Sequence, residues 1–139
     1  MTLAAGARPR PVPICFVLDD VAGQGAVLYT PLDEKPKRDP DVGRMARVRD
    51  IAARPGVTLL FEHWDEDWTQ LAWLRARGDA VLEQVDADPE SHRRVVASLR
   101  RKYPQYRDHA LEQRPLIRVE LHDITAWSAD GQLAAQVGA

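Results

Sequence analysis

Pro11-Val12-Pro13-Ile14-Cys15-Phe16-Val17-Leu18, followed after a turn-rich interval by Ala26-Val27-Leu28-Tyr29-Thr30, is the stretch from which the fold is read. Val12, Ile14, Phe16, Val17 and Leu18 alternate too loosely for a surface helix, which predicts a core strand buried on both faces. Residues 19–25 have the Asp, Gly and Gln composition of a turn, so the two runs are expected to pair as a hairpin.

Downstream, Asp39-Pro40 has the form of an N-cap with proline at the first helical position. Val42, Met45, Val48 and Ile51 then recur about once per turn until Arg54-Pro55-Gly56 stops the pattern. Residues 57–61 read as another buried strand, and residues 71–85 as extended chain broken by a turn or bulge near Gly78-Asp79. A second helix starts at Asp88-Pro89, buries Val95, Val96 and Leu99, turns Arg93, Arg94, Arg100, Arg101 and Lys102 outward, and stops near Tyr103-Pro104. The last run alternates Ile117, Val119 and Leu121, then carries Ile124 and Trp127 out of phase, as a bulge at His122-Asp123 allows. Residues 1–128 therefore read as one domain in the order β-β-α-β-β-β-α-β, and residues 129–139 as a frayed tail. Strands in succession with inserted helices predict a mainly β fold, a small antiparallel barrel with two main flanking helices.

With 139 residues, 45% hydrophobic and 29% charged, the chain is long enough for one water-soluble core, and no run approaches the roughly 20 apolar residues of a membrane helix. Lys plus Arg number 19 against 21 Asp plus Glu, which argues against nucleic acid as a partner and makes any anion recognition local. The single Cys15 and the lack of a charged-then-apolar leader make the cytoplasm the expected compartment.

The densest cationic stretch holds Lys35, Lys37, Arg38, Arg44, Arg47 and Arg49 against Asp39 and Asp41. It follows the Tyr29-Thr30 strand and precedes a helix start. Loop cations, a hydroxyl and free helix N–H groups either converge there on one phosphate, or form a solvated basic loop. Gly23-Gln24-Gly25 is a turn rather than a dinucleotide fingerprint, since Leu28 stands where the third glycine belongs and no helix follows. The acidic Glu62-His63-Trp64-Asp65-Glu66-Asp67 has neither calcium-loop nor zinc-hydrolase spacing and reads as a loop, with Trp64 and Trp68 available to cover a ligand or a partner subunit. Cys15 reads as a buried, inert thiol. His63, His92, His109 and His122 share no ligand spacing and read as surface or hydrogen-bonded residues. Without an acid-base constellation, the chain is either a non-enzyme or an enzyme whose chemistry belongs to a bound cofactor.

Residues 8–18 together with Leu28-Tyr29-Thr30-Pro31-Leu32-Asp33-Glu34-Lys35-Pro36-Lys37-Arg38 resemble the pyridoxamine 5'-phosphate oxidase-like (PPOX class) flavin and deazaflavin family, and within it the coenzyme F420-dependent oxidoreductases. Val48-Arg49-Asp50-Ile51 with Arg54-Pro55, His63-Trp64-Asp65-Glu66-Asp67-Trp68 and Lys102-Tyr103-Pro104-Gln105-Tyr106 carry the same resemblance. It implies an FMN-binding-type split β-barrel that forms a homodimer with the cofactor at the subunit interface, and hydride transfer to or from a small organic substrate. The cofactor implied is F420, with FMN as the alternative. The resemblance further implies that Lys35, Lys37 and Arg38 hold the phosphate with Tyr29 and Thr30 nearby, that the ring lies along Val12, Pro13, Ile14 and Cys15, and that Arg44 reaches the phosphate or an acidic tail. Relatives begin with a helix and a complete first strand. Here Met1-Thr2-Leu3-Ala4-Ala5-Gly6 is expected to supply only the end of that strand, as if it were truncated, which puts cofactor affinity in question.

Overall fold

A computed structural model describes residues 1–5, 8–20, 26–32, 43 and 45–137. The strands are β1 (Thr2–Ala5), β2 (Arg8–Pro11), β3 (Val17–Asp20), β4 (Ala26–Pro31), β5 (Gly56–His63), β6 (Ala72–Glu83) and β7 (Leu116–Ser128). The helices are α1 (Ala46–Ala53), α2 (Pro89–Lys102) and α3 (Gln132–Val137). All seven strands join one antiparallel sheet in the order β2-β1-β5-β6-β7-β4-β3.

The chain path forces this sheet to curl. Its two outermost strands, β2 and β3, are consecutive, joined by residues 12–16 alone. Laid flat, the outer strands of a seven-stranded sheet stand about 29 Å apart, whereas an extended linker of this length reaches about 21 Å. The sheet therefore rolls into a barrel whose seam is bridged covalently by the linker rather than by ladder hydrogen bonds. The antiparallel split barrel expected from the sequence is what the chain forms.

Residues 11–18 differ from the expected core strand. Pro11 and Pro13 lack the N–H a ladder needs. The run divides into β2, which pairs with β1, and β3, which pairs with β4 in the register Val17↔Tyr29 and Leu18↔Leu28. It is not buried on both faces either, because Leu18 is 60% exposed. The β3–β4 hairpin itself is as read. Thr2–Ala5 forms a four-residue strand paired with β2 and, at Thr2 and Leu3, with β5.

Leu3, Leu28, Leu32, Val57, Leu59, Ala76, Ile117 and Val119 fill the barrel, and α1 adds Val48 and Ile51. Asp39, Pro40 and Val42 lie outside the described residues; α1 starts at Ala46, after Met45, which makes no side-chain cap bond. A second core lies on the outer surface of the β3–β4 ribbon, where Val17, Val27 and Tyr29 meet Val95, Val96 and Leu99 of α2. Asp88 caps α2 by accepting the Ser91 N–H at 3.0 Å. Asp88→Ala is expected to cost about 1 kcal/mol in chemical denaturation; no loss at all would mean that helix end is held by packing alone.

Gly78 and His122 resolve the sequence break near residue 78. β6 is continuous, and β7 carries the extra residue: Arg77 pairs with Asp123 and Gly78 with Leu121, leaving His122 bulged. In the segment expected to fray, Gly131, at φ +73°, turns the chain into the short helix α3. Asp130 Oδ1 accepts the Gln132 N–H at 3.0 Å there, and Ser128 Oγ accepts that of Leu133 at 3.0 Å. Among the described residues no helix is long and apolar enough to cross a membrane.

Candidate functional site

The linker between the two edge strands is held at both ends and free in the middle. At one end Val12 N–H donates to Met1 O at 2.8 Å and the Met1 ammonium donates to Val12 O at 3.1 Å, partial burial holding that ammonium below its ordinary pKa. At the other, Phe16 N–H donates to Tyr103 Oη at 3.1 Å, while Phe16 O accepts from Tyr103 Oη at 3.1 Å and from Lys102 Nζ at 3.0 Å. Between them, the N–H groups of Ile14 and Cys15 and the carbonyls of residues 13–15 have no hydrogen-bond partner among the described residues. Pro13 is exposed and Ile14 and Cys15 are half-buried, so these main-chain donors and acceptors, unspent within the described residues, remain for water or for a ligand's polar edge.

Side chains along the linker anchor it without consuming those groups. Val12, Ile14 and Phe16 pack against the barrel core, and Cys15 against the α2 core. Phe16 meets Phe61 edge-on at 5.1 Å. Cys15 is a half-buried free thiol outside any strand, not the fully buried one expected.

Tyr29 and Thr30 are neighbours on β4 and therefore face opposite sides of the sheet. Tyr29, 4% exposed, lies in the α2 core. Burial opposes the charge on Arg118, but its interactions with Glu120 and Tyr29 outweigh this and raise its pKa. Thr30, 1% exposed, stands opposite Ile117 of the barrel core. Thr30 thus shares a face with the core that anchors Val12, Ile14 and Phe16, and Tyr29 with the one that Cys15 meets.

Lys35, Lys37, Arg38 and Arg44 lie outside the described residues, but both ends of their stretch are rooted in one place. Leu32 is fully buried in the barrel core, with its carbonyl accepting from Arg114 Nη1 at 3.0 Å. Met45, Val48 and Ile51 return the chain to that same core. Leu32 and Met45, the described residues on either side of the basic stretch, thus share one apolar cluster with Val12, Ile14 and Phe16 of the linker.

Other sequence readings divide differently. Arg94 is exposed as expected and pairs with Asp19 at 2.8 Å, the hydrogen bond raising its pKa and tying α2 to β3. Arg100 does not point freely outward. It donates to Tyr106 O at 3.1 Å and His109 O at 2.8 Å and pairs with Glu112, whose pKa its hydrogen bond lowers. His92, read as surface or hydrogen-bonded, is 2% exposed with Nε2 3.2 Å from Leu111 O. In the acidic loop Asp65 and Asp67 serve their own turn: Asp67 Oδ1 accepts from Thr69 N–H and Oγ1, which lowers its pKa, and Asp65 accepts from Asp67 N–H. Lys102 and Tyr103, read from the sequence only as an outward cation and a helix stop, hold the linker instead. Their contacts with Phe16 cross 86 and 87 positions, and no local pattern signals them.

No family model matches the sequence, and no curated protein matches it. Solved structures do share the fold. A FAD-binding protein from Mesorhizobium loti aligns over 90% of this chain and 80% of its own, at 13% identity and a TM-score of 0.63. A Listeria innocua protein assigned as a pyridoxamine 5'-phosphate oxidase aligns over 91% of this chain and 82% of its own, at 18% identity and a TM-score of 0.52. The architecture is that of the pyridoxamine 5'-phosphate oxidase-like split barrels.

Proposed function

We propose that this chain is a flavin-dependent oxidoreductase of the cytoplasm that binds FMN and exchanges a hydride equivalent with a small organic substrate. The observation that carries the reading is the run of unpartnered main-chain donors and acceptors at residues 13–15, anchored on the same core as the basic stretch. An isoalloxazine edge presents both carbonyls and ring nitrogens, the complement of such a run. Its phosphate requires cations, which Lys35, Lys37 and Arg38 supply just past β4, with the Thr30 hydroxyl on the inner face and Arg44 before α1.

When bound, the flavin supplies the redox chemistry, and the chain's part is to bind and orient. Val12, Ile14 and Phe16 fix the linker to the core. Pro13 removes one donor and stiffens the backbone. Tyr29 is assigned to packing under α2. The names of the similar structures favour a flavin over the deazaflavin F420, although one basic loop suits either phosphate. Exposed Leu60, Trp64, Trp68 and Trp127 offer apolar surface for the second copy of a homodimer.

Titration decides between these readings. FMN is expected to bind with quenched flavin fluorescence and to raise the melting temperature, with FAD and F420 weaker. Tighter binding of F420 would transfer the assignment to the deazaflavin. No binding by any of the three would leave a non-catalytic scaffold.

A further inference from the structure

We infer that Tyr103, at the C-terminal end of α2, is a positioning residue for the cofactor segment, its hydroxyl standing in for the strand neighbour that Phe16 lacks. The inference rests on the reading of residues 13–15 as the flavin contact. In a ladder, a residue on the adjacent strand pairs both the N–H and the C=O of the residue it faces. At the barrel seam no strand among the described residues does this for Phe16. The one hydroxyl of Tyr103 takes both roles, accepting the Phe16 N–H at 3.1 Å and donating to Phe16 O at 3.1 Å.

Lys102 reinforces the same point. Its ammonium donates to Phe16 O at 3.0 Å and stands 3.9 Å from the centre of the Phe16 ring, whose edge-to-face partner is Phe61. Phe16 is thus held through its main chain by the end of α2 and through its ring by the barrel.

The clamp is itself rigid. Tyr103 N–H donates to Leu99 O at 2.8 Å, and its ring meets Tyr106 at 5.8 Å. Leu99 is fully buried, and Arg94 ties α2 to Asp19 on the strand that continues from Phe16. Directly before Phe16 lie the unpaired groups of residues 13–15. A segment with free polar groups binds a planar ligand well only if its course is set beforehand, since ordering it on binding weakens affinity. The Tyr103 hydroxyl sets that course from the C-terminal side, as the Met1–Val12 pair does from the other.

The test uses the full chain and two variants, Tyr103→Phe and Lys102→Met. It measures Phe16 amide exchange by NMR, FMN affinity by fluorescence quenching, and melting without FMN. Tyr103→Phe is expected to speed Phe16 exchange and to weaken FMN binding, each by about tenfold, the effect of losing two hydrogen bonds. Lys102→Met is expected to weaken FMN by about threefold while Phe16 exchange stays slow, because the amide partner is retained. Wild-type FMN affinity in Tyr103→Phe overturns the inference, as does weakened binding with Phe16 exchange unchanged. If Tyr103→Phe does not fold, Lys102→Met decides: undiminished affinity in it overturns the clamp. Failure of the wild-type chain to bind FMN or F420 removes the underlying reading, and shows before any variant is measured.

Discussion

Reversing two charges, Lys37→Glu together with Arg38→Glu, is expected to weaken FMN binding by a factor of about 10² to 10⁴. Each charge-assisted contact to a phosphate contributes about 1.5–3 kcal/mol, and two lost together amount to about 3–6 kcal/mol. Both residues follow β4 in a stretch rooted at Leu32 and at α1. The paired control is Arg93→Glu. Arg93 lies on the exposed side of α2 and donates to its own helix at Pro89 O, so its reversal alters net charge without touching the basic residues themselves. Affinity in that control should fall less than about threefold, the residual effect of long-range screening. Isothermal titration at fixed salt gives both constants. A double reversal that binds FMN as tightly as the parent would remove Lys37 and Arg38 from the site.

The largest expected loss of stability is at Gly78→Ala. A Cβ there would stand 2.4 Å from Glu120 O and 2.9 Å from Val119 Cγ1. The nearer atom is main-chain oxygen in a strand paired on both sides, so it cannot swing away as a flexible side-chain end would. The close approach falls at the register shift where His122 is bulged. Overpacking of this kind costs about 3 kcal/mol, which lowers the melting temperature of a domain this size by roughly 10 °C. Gly56→Ala serves as the contrast, because nothing lies within 4 Å of its added methyl, and it should leave stability nearly unchanged. Equal melting of the two variants would mean that the β6–β7 register relaxes at the bulge without cost.

Several features were legible because they are local. Asp88-Pro89 caps and starts α2, and Tyr103-Pro104 ends it, as the capping chemistry of those residues dictates. The bulge lies at His122, next to where the change of phase at Ile124 put it, but Ile124 and Trp127 do not return to the core: both are exposed. The break of residues 11–18 was also present, in Pro11 and Pro13, but apolar content outweighed missing N–H groups in the reading of that run. The site was legible only in part: Val12 to Cys15 and the basic stretch stood out, and strand alternation puts Tyr29 and Thr30 on opposite faces, but which of those faces α2 covers is decided by tertiary packing.

The amino-acid sequence by itself determined which segments extend, which coil, where each stops and where cations concentrate, because these follow from side-chain period, caps and proline over a few residues. Only the tertiary structure decided which groups at the barrel seam are left unpaired and who holds them. Those are questions of contact between positions as distant as Phe16 and Tyr103, settled when a short linker forces the sheet to curl and brings the end of α2 against it.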